Sequence, residues 1–277
     1  MTTTAAQPVS VDELRRAWAA VQDGQFRSLR HGSAGSRPPT TVTPAGQEWT
    51  PAERVVPVVG CVGRAGASPL ALALVTRAGD ARVVECCTAT GSGLSTAVTA
   101  ELGTSPTGWV LGRRDRVWVA RTDRAVLGPG TLAVPEDPVT AVTVTVVDVG
   151  WDLGQVLATP GWLADCISDA ETVVAVTTAT IPGVRRLETA LTLLGPARVV
   201  IAVVGTTRRR WPRALTAALG PHAGACDRAG RLVAITTDRR LAVRGLDSAP
   251  LPASLLRAAD TLLRLTAADH HEKGHPE

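Results

Sequence analysis

The amino-acid sequence predicts an α/β fold with a doubly wound, mainly parallel sheet flanked by helices. Two observations predict it. Short runs rich in Val, too apolar to face water on either side, alternate along the chain with helix-like segments that can serve as crossovers between parallel strands. The 277 residues are 45% hydrophobic and 19% charged, which suits a chain that buries a sizeable core.

The N-terminal region precedes this pattern and is predicted to be a separate arm. Residues 1–30 are expected to form an arm helix, because apolar residues follow Ser10 at helical spacing and Ser is a good helix cap. Residues 31–53 are dense in Pro, Gly, Ser and Thr, which predicts a linker. The α/β domain is expected over residues 54–268, followed by a flexible tail over 269–277.

Predicted strands and helices then alternate through the domain. The predicted strands are 55–60, 81–86, 142–148, 171–177, 198–204 and 231–236, and the predicted helices include 68–77 and 93–102. Residues 109–138 break the alternation. Short strand-like runs at 116–120 and 131–134 predict an irregular excursion or a hairpin at the sheet edge.

The C-terminal segment from Leu251 to Leu265 has Leu at helical spacing and is predicted to be an amphipathic helix packed on the sheet. A membrane anchor is the alternative. Its polar face lacks the excess of Lys and Arg that favours anionic lipid, so a membrane partner is not expected. No signal core or uninterrupted apolar span occurs in the sequence, and we expect a cytoplasmic protein.

Lysine is almost absent, which limits the chemistry of the folded domain. The chain has 28 Arg and one Lys, and that Lys273 is fifth from the C-terminus. Any mechanism that needs a lysine inside the folded body is therefore excluded. Asn and Tyr are missing as well, and such absences are typical of a GC-rich, actinobacterium-like genome.

A glycine-rich turn between the first predicted strand and the first predicted helix is the main candidate site. A strand, a tight turn and a helix that starts at a hydroxyl residue together place backbone N–H groups where they can bind phosphate. The turn holds the candidate nucleotide-binding residues Gly63, Arg64, Ala65, Gly66, Ala67 and Ser68.

This turn resembles the deviant Walker A motif of the MinD/ParA branch of P-loop ATPases, which belong to the SIMIBI class. The motif reads K-G-G-x-G-K-[ST]-[ST], and residues 62–69 of this chain read V-G-R-A-G-A-S-P. Two glycines and the hydroxyl of Ser68 match. Both lysines are missing, since Val62 and Ala67 stand at their positions, so the loop is a degenerate one.

The resemblance continues in order along the chain to about residue 265 and implies further site residues. Asp148 ends a Val-rich strand as the Walker B aspartate does, and the resemblance implies that it is the catalytic residue. Glu85 stands near the acidic residue at the end of the second strand. The implied cofactors are ATP and Mg²⁺, with Ser68, Asp148 and Glu85 as the metal-binding residues.

The resemblance implies a spatial or assembly factor, related to plasmid maintenance, conjugation or a secretion machine, that acts as a homodimer or with a protein partner. The P-loop lysine normally places positive charge on the β- and γ-phosphates, and Ala67 cannot do this. We therefore expect at most weak ATP hydrolysis. A pseudo-ATPase that does not hydrolyse ATP, or a scaffold that binds no nucleotide, fits the same residues.

Several alternatives remain open from the sequence. The glycine-rich turn can serve tight packing alone, Asp148 can be a strand-end cap, and Glu85 can be a solvated edge charge. The basic cluster of Arg208, Arg209 and Arg210 can bind DNA phosphates in a partition-type protein, although a charge cluster on a loop is more often a solvated surface. A dinucleotide-binding site is disfavoured, because the glycine spacing is not G-x-G-x-x-G.

Overall fold

The computed structural model describes residues 48–88, 90–122 and 126–271. The predicted arm helix, most of the predicted linker and the end of the predicted tail lie outside these residues.

Within the described residues the chain forms nine strands. They are β1 (Arg54–Gly60), β2 (Ala81–Cys86), β3 (Ala100–Thr104), β4 (Trp109–Arg114), β5 (Val117–Thr122), β6 (Val144–Val149), β7 (Val173–Thr178), β8 (Val199–Gly205) and β9 (Leu232–Thr236). All belong to a single sheet in the order β3-β4-β5-β2-β6-β1-β7-β8-β9. β4 runs antiparallel to its two neighbours, and every other pair is parallel.

The described part of the chain also forms eight α-helices. They are α1 (Ala67–Ala78), α2 (Leu153–Leu157), α3 (Trp162–Asp169), α4 (Ile181–Leu194), α5 (Arg213–Ala217), α6 (Pro221–Arg228), α7 (Arg239–Arg244) and α8 (Ala253–His271). α8 thus extends three residues into the range predicted as a tail.

Helices cover both faces of the sheet, which confirms the predicted fold class. One hydrophobic core joins inward residues of the central strands, such as Val58 and Val146, to α1 and α8. The core on the other face joins residues such as Val147 and Ile201 to α2 through α6. Val-rich strands suit this arrangement, because a central strand that is covered on both faces needs apolar side chains at every position.

The C-terminal helix packs against one face of the sheet, as predicted. Leu255, Ala259 and Leu262 of α8 are buried in the same core as α1. Among the helices of the described residues, none combines the length and the hydropathy needed to cross a bilayer.

The predicted helix over residues 93–102 is wrong. Residues 92–99 form no helix and contain a bend at Leu94 and a turn over 95–97, and β3 follows at Ala100–Thr104. The backbone N–H groups of Gly93 and Leu94 donate to the buried carboxylate of Glu85 at 2.7 Å and 3.0 Å, so they are satisfied without a helix. Gly103, at φ 103°, adopts a left-handed conformation next to a β-bulge, which a helix would not contain.

The irregular excursion contains the predicted edge hairpin, with one strand misplaced. The predicted strand 116–120 is β5, and it pairs with β4 rather than with residues 131–134. Those later residues follow a 3₁₀ turn at Pro129–Thr131 and form no strand. Trp109 and Trp162 donate their ring N–H groups to the carbonyls of Val134 and Leu132, so this stretch is held by side chains instead of by a ladder.

Arginine side chains tie the loops to the sheet. Arg114 is 5% exposed, and its guanidinium donates to the carbonyls of Ala97, Asp247 and Ala249. Arg198 donates to four carbonyls at the ends of α3 and α4. The five N–H donors of a guanidinium suit this use, because one side chain can satisfy several orphan carbonyls.

Candidate functional site

The glycine-rich turn lies at the carboxyl end of β1, at the edge where the parallel strands of the sheet end. The N–H of Cys61 donates to the carbonyl of Val176 at 2.8 Å, which ties the start of the turn to β7. Gly66 ends the turn at φ 90° and immediately precedes α1. The N–H groups of Ala67 and Ser68 in the first turn of α1 have no acceptor within the helix. The turn and the helix start therefore offer backbone donors at one end of a helix dipole, which is the arrangement that binds phosphate.

Arg64 is held in a left-handed conformation within this turn. Its φ is 60°, and its side chain is exposed. It stands where the deviant Walker A motif has its second glycine, and a left-handed conformation is the one that glycine adopts without strain. Arg64 therefore adopts a backbone conformation that is unusual for a residue with a side chain. Arg64 is also the only charged side chain of residues 61–68.

Ser68 and Asp148 contact each other beneath the turn. The Ser68 hydroxyl donates to the Asp148 carboxylate, which is 2% exposed at the end of β6. The Oδ1 atom of Asp148 is buried and has no hydrogen-bond partner among the described residues. Burial raises the pKa of Asp148 to about 7, the hydrogen bond from Ser68 lowers it, and the charge of Glu85 raises it further.

Glu85 is the neighbour of Asp148 on the adjacent strand β2. The two residues are register partners, so their side chains lie on the same face of the sheet, beneath α1. Glu85 is 1% exposed, and the suggestion that it is a solvated edge charge is therefore wrong. Its Oε1 accepts from the N–H groups of Gly93 and Leu94, and its Oε2 accepts from the Ser92 hydroxyl at 2.6 Å. Binding a metal ion directly would require Glu85 to give up some of these contacts.

The sequence did not indicate that residues 92–94 belong to this site. A Cβ atom built on Gly93 would lie 3.9 Å from the Cβ of Ser68, so the loop after β2 lies directly against the start of α1. The available signal was the Thr-, Gly- and Ser-rich composition of residues 88–93, which does not fit a helix. The Glu85 contacts that order the loop are not readable from composition.

The donor set at Asp148 fits a Mg²⁺ ion that is shared with a nucleotide. Mg²⁺ prefers oxygen ligands and is typically held by one or two carboxylates, water and substrate phosphates. Asp148 offers a bare, buried carboxylate oxygen, and Ser68 offers a hydroxyl. Within the described residues no group of three or more His, Cys, Asp or Glu side chains is arranged to hold a metal ion. Phosphate oxygens and water would therefore have to complete the coordination.

The lysine charge that the P-loop of such ATPases places beside the β- and γ-phosphates is missing from this loop. Ala67 stands at the lysine position, with its Cβ 3.7 Å from the Cβ position of Gly60. A wide cleft elsewhere does not offer an alternative phosphate site. It lies at the amino edge of the sheet, and its walls carry Trp49 and Trp162 together with five carboxylates and a single guanidinium. Carboxylates repel phosphate.

The basic cluster after β8 is only partly available for a ligand. Arg208 pairs with Asp227 at 2.6 Å and lies over the Trp211 ring at 4.4 Å from its centroid. Arg209 and Arg210 are exposed. The structure therefore separates one arginine that holds the local fold from two that face solvent.

The fold is that of an α/β protein with a doubly wound, mainly parallel sheet, and this turn lies at the carboxyl edge of that sheet. No protein-family model matches the sequence, and no curated protein matches it. Solved structures do match. The chain is similar to the cell division ATPase MinD from Pyrococcus furiosus, with 13% identity and a TM-score of 0.50 over 76% of this chain and 99% of that one. It is also similar to apo McdA from Cyanthece, with 10% identity and a TM-score of 0.50 over 76% and 99% of the two chains.

These similarities show that the chain has the fold of the MinD/ParA-like P-loop ATPases, as the resemblance of the loop predicted. They show the fold alone. They assign no role to Ser68, Glu85, Asp148 or the loop residues.

Proposed function

We propose that this protein is a MinD/ParA-like spatial or assembly factor that binds ATP with Mg²⁺ at residues 63–68 and hydrolyses it slowly or not at all. The observation that carries the proposal is the contact between Ser68 and Asp148, which leaves one buried oxygen of Asp148 without a partner. A buried polar atom without a hydrogen bond is costly, and a bound cation would remove that cost.

Each residue of the site has a distinct role in this proposal. The N–H groups of Gly63, Gly66 and Ala67 contact phosphate, and Arg64 adds a positive charge from the rim of the turn. Asp148 and Ser68 hold the Mg²⁺ ion, which would neutralise charge on the phosphates. Asp148 is also the residue we assign to any catalysis. Glu85 holds residues 92–94 next to Ser68 and Asp148 and does not bind the metal ion itself.

Weak hydrolysis follows from the missing lysine. Phosphoryl transfer depends on positioning and on charges aimed at the transferred group, and removing such a charge slows the reaction by orders of magnitude. A protein that keeps ATP bound would remain in one state, which suits a scaffold that recruits a protein partner or a second copy of itself. We also propose that the protein is cytoplasmic and acts in plasmid maintenance, in conjugation or with a secretion machine.

Isothermal titration calorimetry with ATP and Mg²⁺ tests the site. We expect saturable binding by the native chain and loss of at least tenfold in affinity in Asp148→Ala and Ser68→Ala, because a charged contact contributes about 1.5–3 kcal/mol. Asp152→Ala is the control, since this exposed carboxylate caps α2 outside the buried pair. Equal affinity in all four proteins would remove the assignment. Absence of binding by the native chain, with a partner pull-down that survives both site substitutions, would identify a scaffold that binds no nucleotide.

DNA binding is a second candidate function, favoured by the exposure of Arg209 and Arg210. Binding through two phosphate contacts predicts duplex affinity that falls with salt, with a slope that decreases by about 2 when both arginines become Ala. Arg185→Ala with Arg186→Ala is the matched control, because this pair is also exposed and lies on α4. Fluorescence anisotropy at several salt concentrations measures both slopes. The same slope in both double variants would exclude a specific role for the loop after β8.

A further inference from the structure

The segment 92–97, called the strap below, connects the buried carboxylate pair to the C-terminal part of the chain. At its beginning, Ser92, Gly93 and Leu94 are all hydrogen-bonded to Glu85. In its middle, Leu94 and Ala97 are fully buried in the core that contains α1. The strap therefore has little freedom to move independently of Glu85 and α1.

The far end of the strap is bonded to the connection between α7 and α8. The Thr96 hydroxyl donates to the carbonyl of Leu246 at 2.6 Å. Arg114 donates from one nitrogen to the carbonyls of both Ala97 and Asp247, at 2.9 Å and 2.8 Å, and from another nitrogen to Ala249. One buried guanidinium thus holds the strap and residues 246–249 in a single network. From here on, "the linker" means residues 246–249 and not the predicted linker of residues 31–53.

The near end of the strap lies against the residues that we assign to Mg²⁺. A Cβ atom built on Gly93 would lie 3.9 Å from the Cβ of Ser68, so the two residues are close neighbours, and Glu85 is the register partner of Asp148. Two carboxylates buried side by side repel each other, and a cation at Asp148 would relieve that repulsion. Glu85 would then hold the strap more firmly, because its charged hydrogen bonds no longer compete with a neighbouring negative charge.

We propose that Glu85 is a positioning residue that couples the site at Ser68 and Asp148 to the linker through the strap. Ligand binding at the site and order in the linker are then linked, and each favours the other. The linker follows α7 directly, and Arg239, Val243 and Arg244 of that helix are exposed. A change in the order of the linker would therefore affect a surface that other molecules can contact. The ligand-dependent half of the coupling rests on the proposed function, and the mechanical half does not.

Hydrogen–deuterium exchange of the full chain without ligand tests the mechanical half. Ser92→Ala removes one bond to Glu85, and we expect amide exchange in the linker to rise about fivefold, which is the effect of losing one ordinary hydrogen bond. Thr99→Val is the matched control, because it also removes a hydroxyl bond, to Arg113, but lies beyond the strap. A rise confined to residues 92–94 in Ser92→Ala, or an equal linker rise in Thr99→Val, would overturn the proposal. Exchange in β7 reports general destabilisation, and a rise there equal to the rise in the linker would overturn it too.

The same measurement with ATP and Mg²⁺ tests the ligand-dependent half. In the native chain we expect protection of both residues 61–70 and the linker. In Thr96→Val we expect residues 61–70 to remain protected and linker protection to be lost. Protection of residues 61–70 without any protection of the linker in the native chain would overturn the coupling. If residues 61–70 are not protected in the native chain, the proposed function fails, and the ligand-free comparison still decides whether the strap connects Glu85 to the linker.

Discussion

Glu85 and Asp148 are register partners on the parallel strands β2 and β6, and both carboxylates are buried beneath α1. They differ in what they contact. Glu85 is saturated by three hydrogen bonds from residues 92–94, whereas Asp148 accepts one from Ser68 and keeps a bare oxygen. Glu85 therefore holds residues 92–94 in place, whereas Asp148 keeps one oxygen available to a ligand.

Binding that depends on Mg²⁺ is expected to weaken as the pH falls through about 7. The pKa of Asp148 is raised to about 7, so a proton competes with the cation below that pH. Affinity for ATP with Mg²⁺ should fall about tenfold between pH 8 and pH 6. Calorimetry at three pH values measures it. Binding of equal strength across this range would mean that Asp148 does not contact the cation.

The same raised pKa has a consequence for the stability of the ligand-free protein. The folded state binds the Asp148 proton more tightly than the unfolded state, in which the carboxyl has an ordinary aspartate pKa of 3.8. The contribution of Asp148 to the free energy of unfolding should therefore decrease as the pH rises from about 4 to 7 and level off above 7. Asp148→Asn removes the titration, so its thermal midpoint should vary less with pH over that window than the midpoint of the native chain. Parallel midpoint profiles for the two proteins would contradict the assignment.

Restoring the lysine at position 67 should strengthen phosphate binding. In the proposed complex, a Lys side chain at the start of α1 would reach the phosphates next to the loop N–H groups, and we expect affinity for ATP with Mg²⁺ to rise about tenfold in Ala67→Lys. Ala214→Lys, on the exposed face of α5, controls for the added charge. Calorimetry compares the two variants. No gain at position 67 beyond that of the control would indicate that the loop does not hold phosphate in the P-loop manner.

Arg64→Gly should separate the shape of the loop from its charge. Glycine adopts the left-handed conformation of residue 64 freely, so thermal stability should not fall, while affinity for ATP should decrease about tenfold with the loss of a charged contact. Arg64→Lys keeps the charge and should keep most of the affinity. Asp115→Gly changes the other described non-glycine residue at positive φ and should leave ATP binding unaltered. Loss of stability in Arg64→Gly would contradict this account of the turn.

The strands that carry the site are readable from the sequence, and the loop that completes it is not. β1 and β6 are Val-rich runs, with Gly60 at the end of β1 and Asp148 next to the end of β6, and local composition is enough to place them. Residues 92–97 take their shape from Glu85, Arg114 and the carbonyl of Leu246, which are far apart in the sequence. Their helix-like spacing of apolar residues was therefore misleading. Tertiary hydrogen bonds decide the conformation there.

The buried pair of Arg82 and Glu53 is expected to be a major contributor to stability. The two side chains are 4% and 7% exposed and lie 2.9 Å apart. Arg82→Met would leave the Glu53 carboxylate buried without its partner, which costs about 3 kcal/mol and lowers the thermal midpoint by about 10 °C. Arg116→Met is the matched control, because its pair with Asp80 is largely exposed and contributes less than about 1 kcal/mol. Similar midpoints for the two variants, measured by circular dichroism, would contradict the assigned role of burial.

Gly150 and Gly63 should differ sharply in what a methyl group does. A Cβ atom at Gly150 would lie 2.5 Å from the Cβ of Cys87, whereas nothing lies within 4 Å of the Cβ position at Gly63. Gly150 also donates its N–H to the carbonyl of Cys86 at 2.8 Å, so the backbone after β6 cannot move away without losing that bond. Gly150→Ala should therefore lower the thermal midpoint by about 5 °C through overpacking. Gly63→Ala should leave the midpoint unchanged and weaken ATP binding, because the methyl group occupies space next to the backbone donors. An unchanged midpoint in Gly150→Ala would contradict the close approach between the backbone after β6 and Cys87. A lower midpoint in Gly63→Ala would contradict the open space at Gly63.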